Sequence, residues 1–432
     1  MMLSLLPRTL PHVPRSSRAM SGVRLQVVPG RCLYDAPLRL QVCGLSPGQD
    51  VSLHTALSDE GGQLFSSVGR YRADSSGELD VSRSPALEGG SYTDPYQLRL
   101  LSFPAPTIHH PPGFPLSLLA QDRASMRKGL TRWPVRDWRV REALPAARSD
   151  SFVIAPGVWI SYQGLSETGP GPFPGVIEVQ GTGGGLLEYK ASLLANRGFA
   201  TLALAYYNYE DLPKDMKEFR LEYFEEAVNY MLKHPQVMGP GIGLLGHSKG
   251  GDLVLSMASF LKGIAATAVV NGSVANVAAT LRYKDITLPP IGIDAKKLKH
   301  PQPGVGDISD VLLNPLEEAN RKSLIPVGRA DCKLLFIVAG DDKNWKSDFY
   351  AQTACQLLAE AGKEKPEVVL YPKAGHYIEP PNFPLCKMSM HKLVGMPVVW
   401  GGEPKAHAMA QVDSWKRIQD FFNKHLKKKS QL

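Results

Sequence analysis

The chain has 432 residues, 43% of them apolar, which is enough for two sizeable cores and too long for one ordinary domain. Its formal charge of +8 invites an anionic partner such as a nucleic acid, but the charge is unevenly placed. Three arginines in the first twenty residues, Lys424 with Lys427 to Lys429, and a net five positive charges over 96–150 leave the remainder at −4.

In chain order, residues 1–20 carry three Arg, three Ser and no acid, as a mitochondrial presequence would, with Pro7, Pro11 and Pro14 interrupting its helix and Met20 as an internal start. Residues 21–165 are assigned to an N-terminal domain. Runs such as Val23–Val28 and Leu38–Val42 alternate apolar and polar positions between Gly- and Ser-rich turns, the pattern of an antiparallel β-sandwich. Within it, 96–150 is atypical, with little alternation and the string Arg132-Trp-Pro-Val-Arg-Asp-Trp-Arg139. Arg interleaved with Trp is weak grounds for nucleic-acid binding without an accompanying fold signal, and no nucleic-acid partner is expected.

From 166 to 427 strands and helices alternate, which predicts a mostly parallel sheet covered on both faces. Phe173–Val179 reads as a strand opening into Gly181-Thr-Gly-Gly-Gly185, where bare backbone N–H groups can approach a developing oxyanion. The expected donors are Thr182, Gly183 or Gly184, with the N–H of Lys249. A phosphate loop is the alternative, and the spacing lacks the Lys-Ser/Thr of a P-loop. Further strands are predicted at Phe199–Ala205, Ile242–Leu245, Ala266–Val270, Leu334–Val338 and Val368–Tyr371, and a helix over Glu222–Leu232. Gly246-His-Ser-Lys-Gly250 places Ser248 on a strand-to-helix elbow, the geometry of a nucleophile. The insert from about Arg282 to Ile325 is expected to cover the site. Asp341-Asp342 follows one strand and His376 another, so the chain order is serine, acid, histidine, as in the α/β-hydrolase triad. The pattern does not separate Asp341 from Asp342. A last helix carries Met409, Val412, Trp415, Ile418, Phe421 and Phe422 on a core stripe.

Several strings together resemble the type I acyl-CoA thioesterases, which share a fold with bile acid-CoA:amino acid N-acyltransferase. They include Arg70–Asp74, Gly181–Tyr189, Ala205–Pro213, Leu221–Ala227, Ser248–Gly251, Asn271–Asn276, Asp341–Ser347, Gly375–Pro381 and Gly401–His407. The resemblance runs nearly continuously over 171–425 and is weaker before it. It implies an α/β-hydrolase domain preceded by a smaller sandwich, with Ser248, Asp342 and His376 as nucleophile, acid and base. The substrate it implies is long-chain fatty acyl-CoA, hydrolysed to free acid and CoA with no separate cofactor or metal. It also implies cysteine at the elbow of the N-acyltransferase branch. Serine here favours water over glycine or taurine as acceptor. Two alternatives remain beside hydrolysis, namely N-acyl transfer and an inactive acyl-CoA-binding homologue.

Residues 428–432 end in Ser430-Gln-Leu432, close to the Ser-Lys-Leu peroxisomal signal, so an import receptor is an expected partner. Peroxisome or mitochondrial matrix is the expected compartment, with the cytosol as a third address. No run approaches the ~18 apolar residues of a membrane span. Five widely spaced cysteines fit free thiols in a reducing compartment. Oligomeric state is left open.

Overall fold

A computed structural model describes residues 2–6, 23–28, 35–36, 39–58, 64–90, 149–153, 159–163, 171–383 and 385–427. Most of the atypical segment 96–150, the presequence-like stretch beyond Leu6, Cys32 and the Ser430-Gln-Leu432 tail lie outside the described residues. The chain divides into two compact units. The first is Met1–Pro111 with Thr131–Glu142 and Pro380–Cys386, and the second is Pro112–Leu130 with Ala143–Glu379 and Lys387–Leu432.

The first unit contains two three-stranded antiparallel sheets. One pairs Arg24–Val28, Arg39–Cys43 and Leu79–Asp80, and the other pairs Met2–Leu6, Asp50–Ser58 and Leu64–Arg72. In Arg39–Cys43 every second side chain, Leu40 and Val42, is fully buried, as period-2 alternation requires. These two pack in one core with Leu53, Tyr71 and Leu79 from both sheets, the sandwich arrangement the alternation predicts.

The second unit is built on an eight-stranded sheet, its strands numbered in chain order. They are β1 (Ser149–Val153), β2 (Trp159–Gln163), β3 (Phe173–Val179), β4 (Ala200–Leu204), β5 (Val237–His247), β6 (Ile264–Val270), β7 (Lys333–Ala339) and β8 (Glu367–Tyr371). Their spatial order is 8-7-6-5-3-4-2-1, with β3 to β8 parallel and the first two strands antiparallel. Ser149–Val153 and Trp159–Gln163 therefore belong to this sheet and not to the N-terminal sandwich, contrary to the expected boundary at 165. Alternation identifies a strand but not its sheet, and hydrogen bonding of β2 to β4 decides it. Central strands such as β3 are buried along nearly their whole length, because helices cover both faces.

The helices are α1 (Tyr189–Ala195), α2 (Leu221–Lys233), α3 (Lys249–Phe260), α4 (Ser347–Glu360) and α5 (Pro404–Leu426). On α2, Leu221, Phe224, Ala227, Val228 and Met231 form the buried stripe at three- and four-residue spacing. On α5 the buried face is His407, Gln411, Ser414, Trp415, Ile418, Phe421 and Phe422, while Met409 and Val412 are exposed. The core stripe expected from the spacing is therefore wrong at these two positions. Repeated three-residue steps drift about 60° each around a helix, and two of them carry Met409 off the face that Trp415 occupies. Phe422 lies against Gly243 of β5, where a Cβ would stand 2.8 Å from the ring, so the glycine makes room for the helix.

The insert after β6 is not one loop. Thr280–Tyr283 pairs with Ile286–Leu288 and with the distant Glu218–Arg220. Lys299–Gln302 and Val305–Asp307 join Met396–Val399 and Met388–His391 in a four-stranded sheet.

Candidate active site

Ser248 sits between β5 and α3 at φ 56° and ψ −123°, a strained conformation for a residue with a side chain. Its flanking glycines are required sterically. A Cβ on Gly246 would lie 2.3 Å from the Gly250 carbonyl oxygen, and one on Gly250 would lie 2.0 Å from that of Val179. The elbow thus packs directly on the end of β3. From there the chain enters the glycine loop, where a Cβ on Gly181 would sit 3.4 Å from Ser248 Oγ.

The structure brings together three of the residues singled out by chain order. Ser248 Oγ and His376 Nε2 are 2.8 Å apart, and His376 Nδ1 is 2.8 Å from Asp342 Oδ2. All three residues are buried. A carboxylate accepts only, so Nδ1 carries the proton and bare Nε2 faces the serine hydroxyl. Asp342 is held by the Ser347 hydroxyl at 2.6 Å and the backbone N–H groups of Asn344 and Trp345 at 2.8 and 3.3 Å. Asp341 points elsewhere, accepting from Gly402 N–H at 2.8 Å and pairing with Lys343 at 3.0 Å. The ambiguity between the two acids is decided by the turn after β7.

Around this chain lies a set of groups that sequence reasoning misses. The His376 carbonyl accepts from Asn271 Nδ2 at 2.7 Å and from His247 Nε2 at 3.0 Å, so two buried donors fix the backbone of the histidine. Trp400 stacks on the His376 ring at 5.6 Å and Trp345 meets it edge-on at 5.5 Å. Burial, with the nearby Lys190 and His376, pushes His247 well below the usual histidine range. His391 is pushed down to about 4 by burial and by His376. Both stay neutral at pH 7. A histidine inside a Gly-x-Ser-x-Gly string is the sequence signal that points to His247.

Of the expected oxyanion donors, Gly184 N–H turns back to the Gly181 carbonyl at 3.4 Å and closes a turn. Thr182, half-buried, and Gly183, exposed, are the central residues of that turn, and Lys249 N–H opens α3. The loop is tethered from β4's exit: Tyr206 hydroxyl donates to the Gln180 and Gly181 carbonyls at 2.9 and 3.0 Å, and Tyr207 hydroxyl to the Thr182 carbonyl. The Lys249 side chain is fully buried and bonded to Asp252 at 3.0 Å and Asn276 at 3.1 Å, so its charge is satisfied internally.

A second buried ionic cluster lies behind the loop. Lys190 Nζ pairs with Glu379 at 3.1 Å and reaches Gln180 Oε1 at 3.1 Å, and Tyr189 hydroxyl donates to Glu379 at 2.6 Å. Beside it Glu178 of β3 is pushed up to about 7 by burial, with Lys190 opposing the rise and Glu379 adding to it. A carboxyl raised in the folded state stabilises the fold below pH ~4.5, and that contribution is lost as pH climbs through ~7. Glu178→Gln is therefore expected to gain stability over the parent as pH rises from 5 to 8, by up to about 3 kcal/mol. Urea denaturation at the two pH values checks it; an equal difference at both would show that Glu178 does not titrate there.

Among the described residues no cluster of three or more His, Cys, Asp or Glu is arranged to hold a metal ion. No helix among them is long and apolar enough to cross a membrane. Cys43, Cys332, Cys355 and Cys386 form no disulfide.

Residues 219–428 match the family model "BAAT / Acyl-CoA thioester hydrolase C terminal", and residues 35–135 match "Acyl-CoA thioester hydrolase/BAAT N-terminal region". Human acyl-coenzyme A thioesterase 1 is 52% identical over 421 residues, covering 92% of this chain and 95% of the relative. The chain belongs to the acyl-CoA thioester hydrolase/BAAT family. Human mitochondrial acyl-coenzyme A thioesterase 2 is 50% identical, covering 97% of this chain and 87% of that protein. The family match reaches residue 135, so much of the segment from 96 onward falls inside the family's pattern, although its strings alone do not show it. Among solved structures, acylaminoacyl peptidase from Pyrococcus horikoshii aligns over 91% of this chain and 55% of its own at 13% identity, with a TM-score of 0.44. That likeness is too loose to carry more.

Proposed function

We propose that the chain hydrolyses fatty acyl-CoA to free fatty acid and CoA by way of an acyl-enzyme on Ser248. The unbroken hydrogen-bonded line from Ser248 through His376 to Asp342 carries this reading, in a chain about half identical to proteins named acyl-CoA thioesterases. Ser248 Oγ attacks the thioester carbonyl while His376 Nε2 takes its proton. The carbonyl oxygen becomes an oxyanion facing the N–H groups of Lys249 and of Thr182 or Gly183, each such donor contributing roughly 10²-fold or more. Collapse expels the CoA sulfur, which leaves with the proton from His376. Water then repeats the sequence on the ester, with His376 as base, and Ser248 is restored.

Thiol release from palmitoyl-CoA, with the acyl product identified by mass and taurine present or absent, tests this. Free acid alone is expected, and a fall of at least about 10⁴-fold in kcat for Ser248→Ala. A taurine conjugate would assign N-acyl transfer. Equal turnover by both proteins, or none by either, would sink the reading and leave an acyl-CoA-binding homologue.

A further inference from the structure

Lys249, next to the nucleophile in the chain, and Lys190 are unavailable to an anion, since both are buried in pairs with Asp252 and Glu379. A CoA ester nonetheless carries phosphates at its far end. In the second unit, an open cleft of about 390 Å³ is lined by Lys296, Lys297, Leu298, Lys299, Asp310 and Lys346. Three of its lysines come from the insert after β6. The fourth, Lys346, precedes α4 on the loop that carries Asp342.

The cleft is held together across these two segments. Asp310 pairs with Lys299 at 2.5 Å and with Lys346 at 2.8 Å, and Ile308 N–H donates to the Lys343 carbonyl at 3.3 Å. Its two lysines hold Asp310 down at about 2, so it stays charged, and the cleft carries four positive charges against one negative. The neighbouring carboxylates are occupied in local turns, Asp294 by Lys296 N–H at 3.0 Å and Asp307 by the Ser309 N–H and hydroxyl at 3.0 and 2.6 Å. This concentration of charge stands in a part of the chain whose overall balance is negative, once the termini and 96–150 are set aside. Lys299 and Lys346 keep more than half of their side chains in solvent, with Nζ protons to spare.

Position agrees with charge. Lys346 is four residues from Asp342, at most ~15 Å along the chain. Asp342 is joined to Ser248 by two 2.8 Å hydrogen bonds and one imidazole ring. The pantetheine arm of CoA places thirteen bonds between sulfur and the first phosphorus, equal in length to four or five extended residues, or about 15 Å.

We propose that this cleft binds the phosphorylated nucleotide end of the CoA ester, a role that rests on the thioesterase reading above. Lysine is suited to phosphate as a mobile point charge. The binding energy is then realised equally in ground and transition states, so the cleft acts on KM and leaves kcat alone.

The test uses the full-length protein and a Lys296→Gln/Lys297→Gln variant, both positions lying on an exposed turn. Each is assayed with the CoA ester and the pantetheine ester of the same fatty acid. The variant is expected to raise KM for the CoA ester about tenfold with kcat within twofold, and to leave KM for the pantetheine ester unchanged. Added salt should raise KM for the CoA ester more in the parent than in the variant. An unchanged KM for the CoA ester, or an equal rise for both esters, overturns the assignment. If the parent hydrolyses neither ester, the thioesterase reading fails instead, and calorimetric titration with adenosine 3′,5′-bisphosphate decides the cleft separately. Binding to the parent that weakens in the variant supports a nucleotide-phosphate site, and equal or absent binding overturns it.

Discussion

Replacing Asp342 with asparagine is expected to lower kcat roughly 10³- to 10⁴-fold, while the same change at Asp341 alters it less than about threefold. The two acids differ by one position in sequence and by everything in surroundings. Asp342 receives four donors, of which His376 Nδ1 at 2.8 Å is the one that sets the tautomer. An asparagine amide turned toward Nδ1 would move the ring proton to Nε2, where it faces the serine and can take nothing from it. At Asp341 the substitution removes an exposed ion pair with Lys343 and weakens one hydrogen bond from Gly402 N–H, both remote from the reacting atoms. Steady-state rates for the two variants give the answer; comparable falls at both positions would mean that the acid has been misassigned.

The second large effect is on the frame of the elbow. Gly250→Ala would set a methyl 2.0 Å from the Val179 carbonyl oxygen and 2.9 Å from that of Gln180, all unyielding backbone. Something must shift, and what shifts is the separation between the nucleophile and the glycine loop. A loss of about 3 kcal/mol in stability is expected, with kcat reduced at least about 100-fold in the protein that still folds. Gly183→Ala is the control for stability, because its Cβ would meet nothing within 4 Å. Urea denaturation of both variants, beside their rates, separates a crowded elbow from general intolerance of alanine. Equal stabilities would show that the close approach at Gly250 does not constrain the fold.

Much of the catalytic unit is legible in the sequence because its central strands are buried on both sides. Runs such as Ile242–Leu245 and Leu334–Val338 are continuously apolar, and few other structures demand that. The elbow is legible because its steric demands leave glycine at fixed positions on either side of Ser248. What stays hidden depends on partners far away in sequence. Glu218–Arg220 and Thr280–Tyr283 are too short to announce themselves and exist as strands because they pair. Lys190, Glu178 and Glu379 read as ordinary solvated charges until tertiary structure buries them together. Lys296, Lys297 and Lys299 likewise read as a solvated turn, and Lys346 completes the cleft from another element. The stripe on α5 fails for a local reason, since three-residue spacing alone lets Met409 and Val412 rotate away from the core.

The strained backbone at Ser248 has an evolutionary consequence. Its φ of 56° goes with the close approach of Gly246 and Gly250 to their neighbours and with the Ser248 N–H bond to the Val270 carbonyl at 2.9 Å. Any side chain with a Cβ meets the same conformational cost there, so exchange of oxygen for sulfur at this position is nearly neutral for folding. A change of the reacting atom from oxygen to sulfur at this elbow therefore asks for no compensating change in the frame.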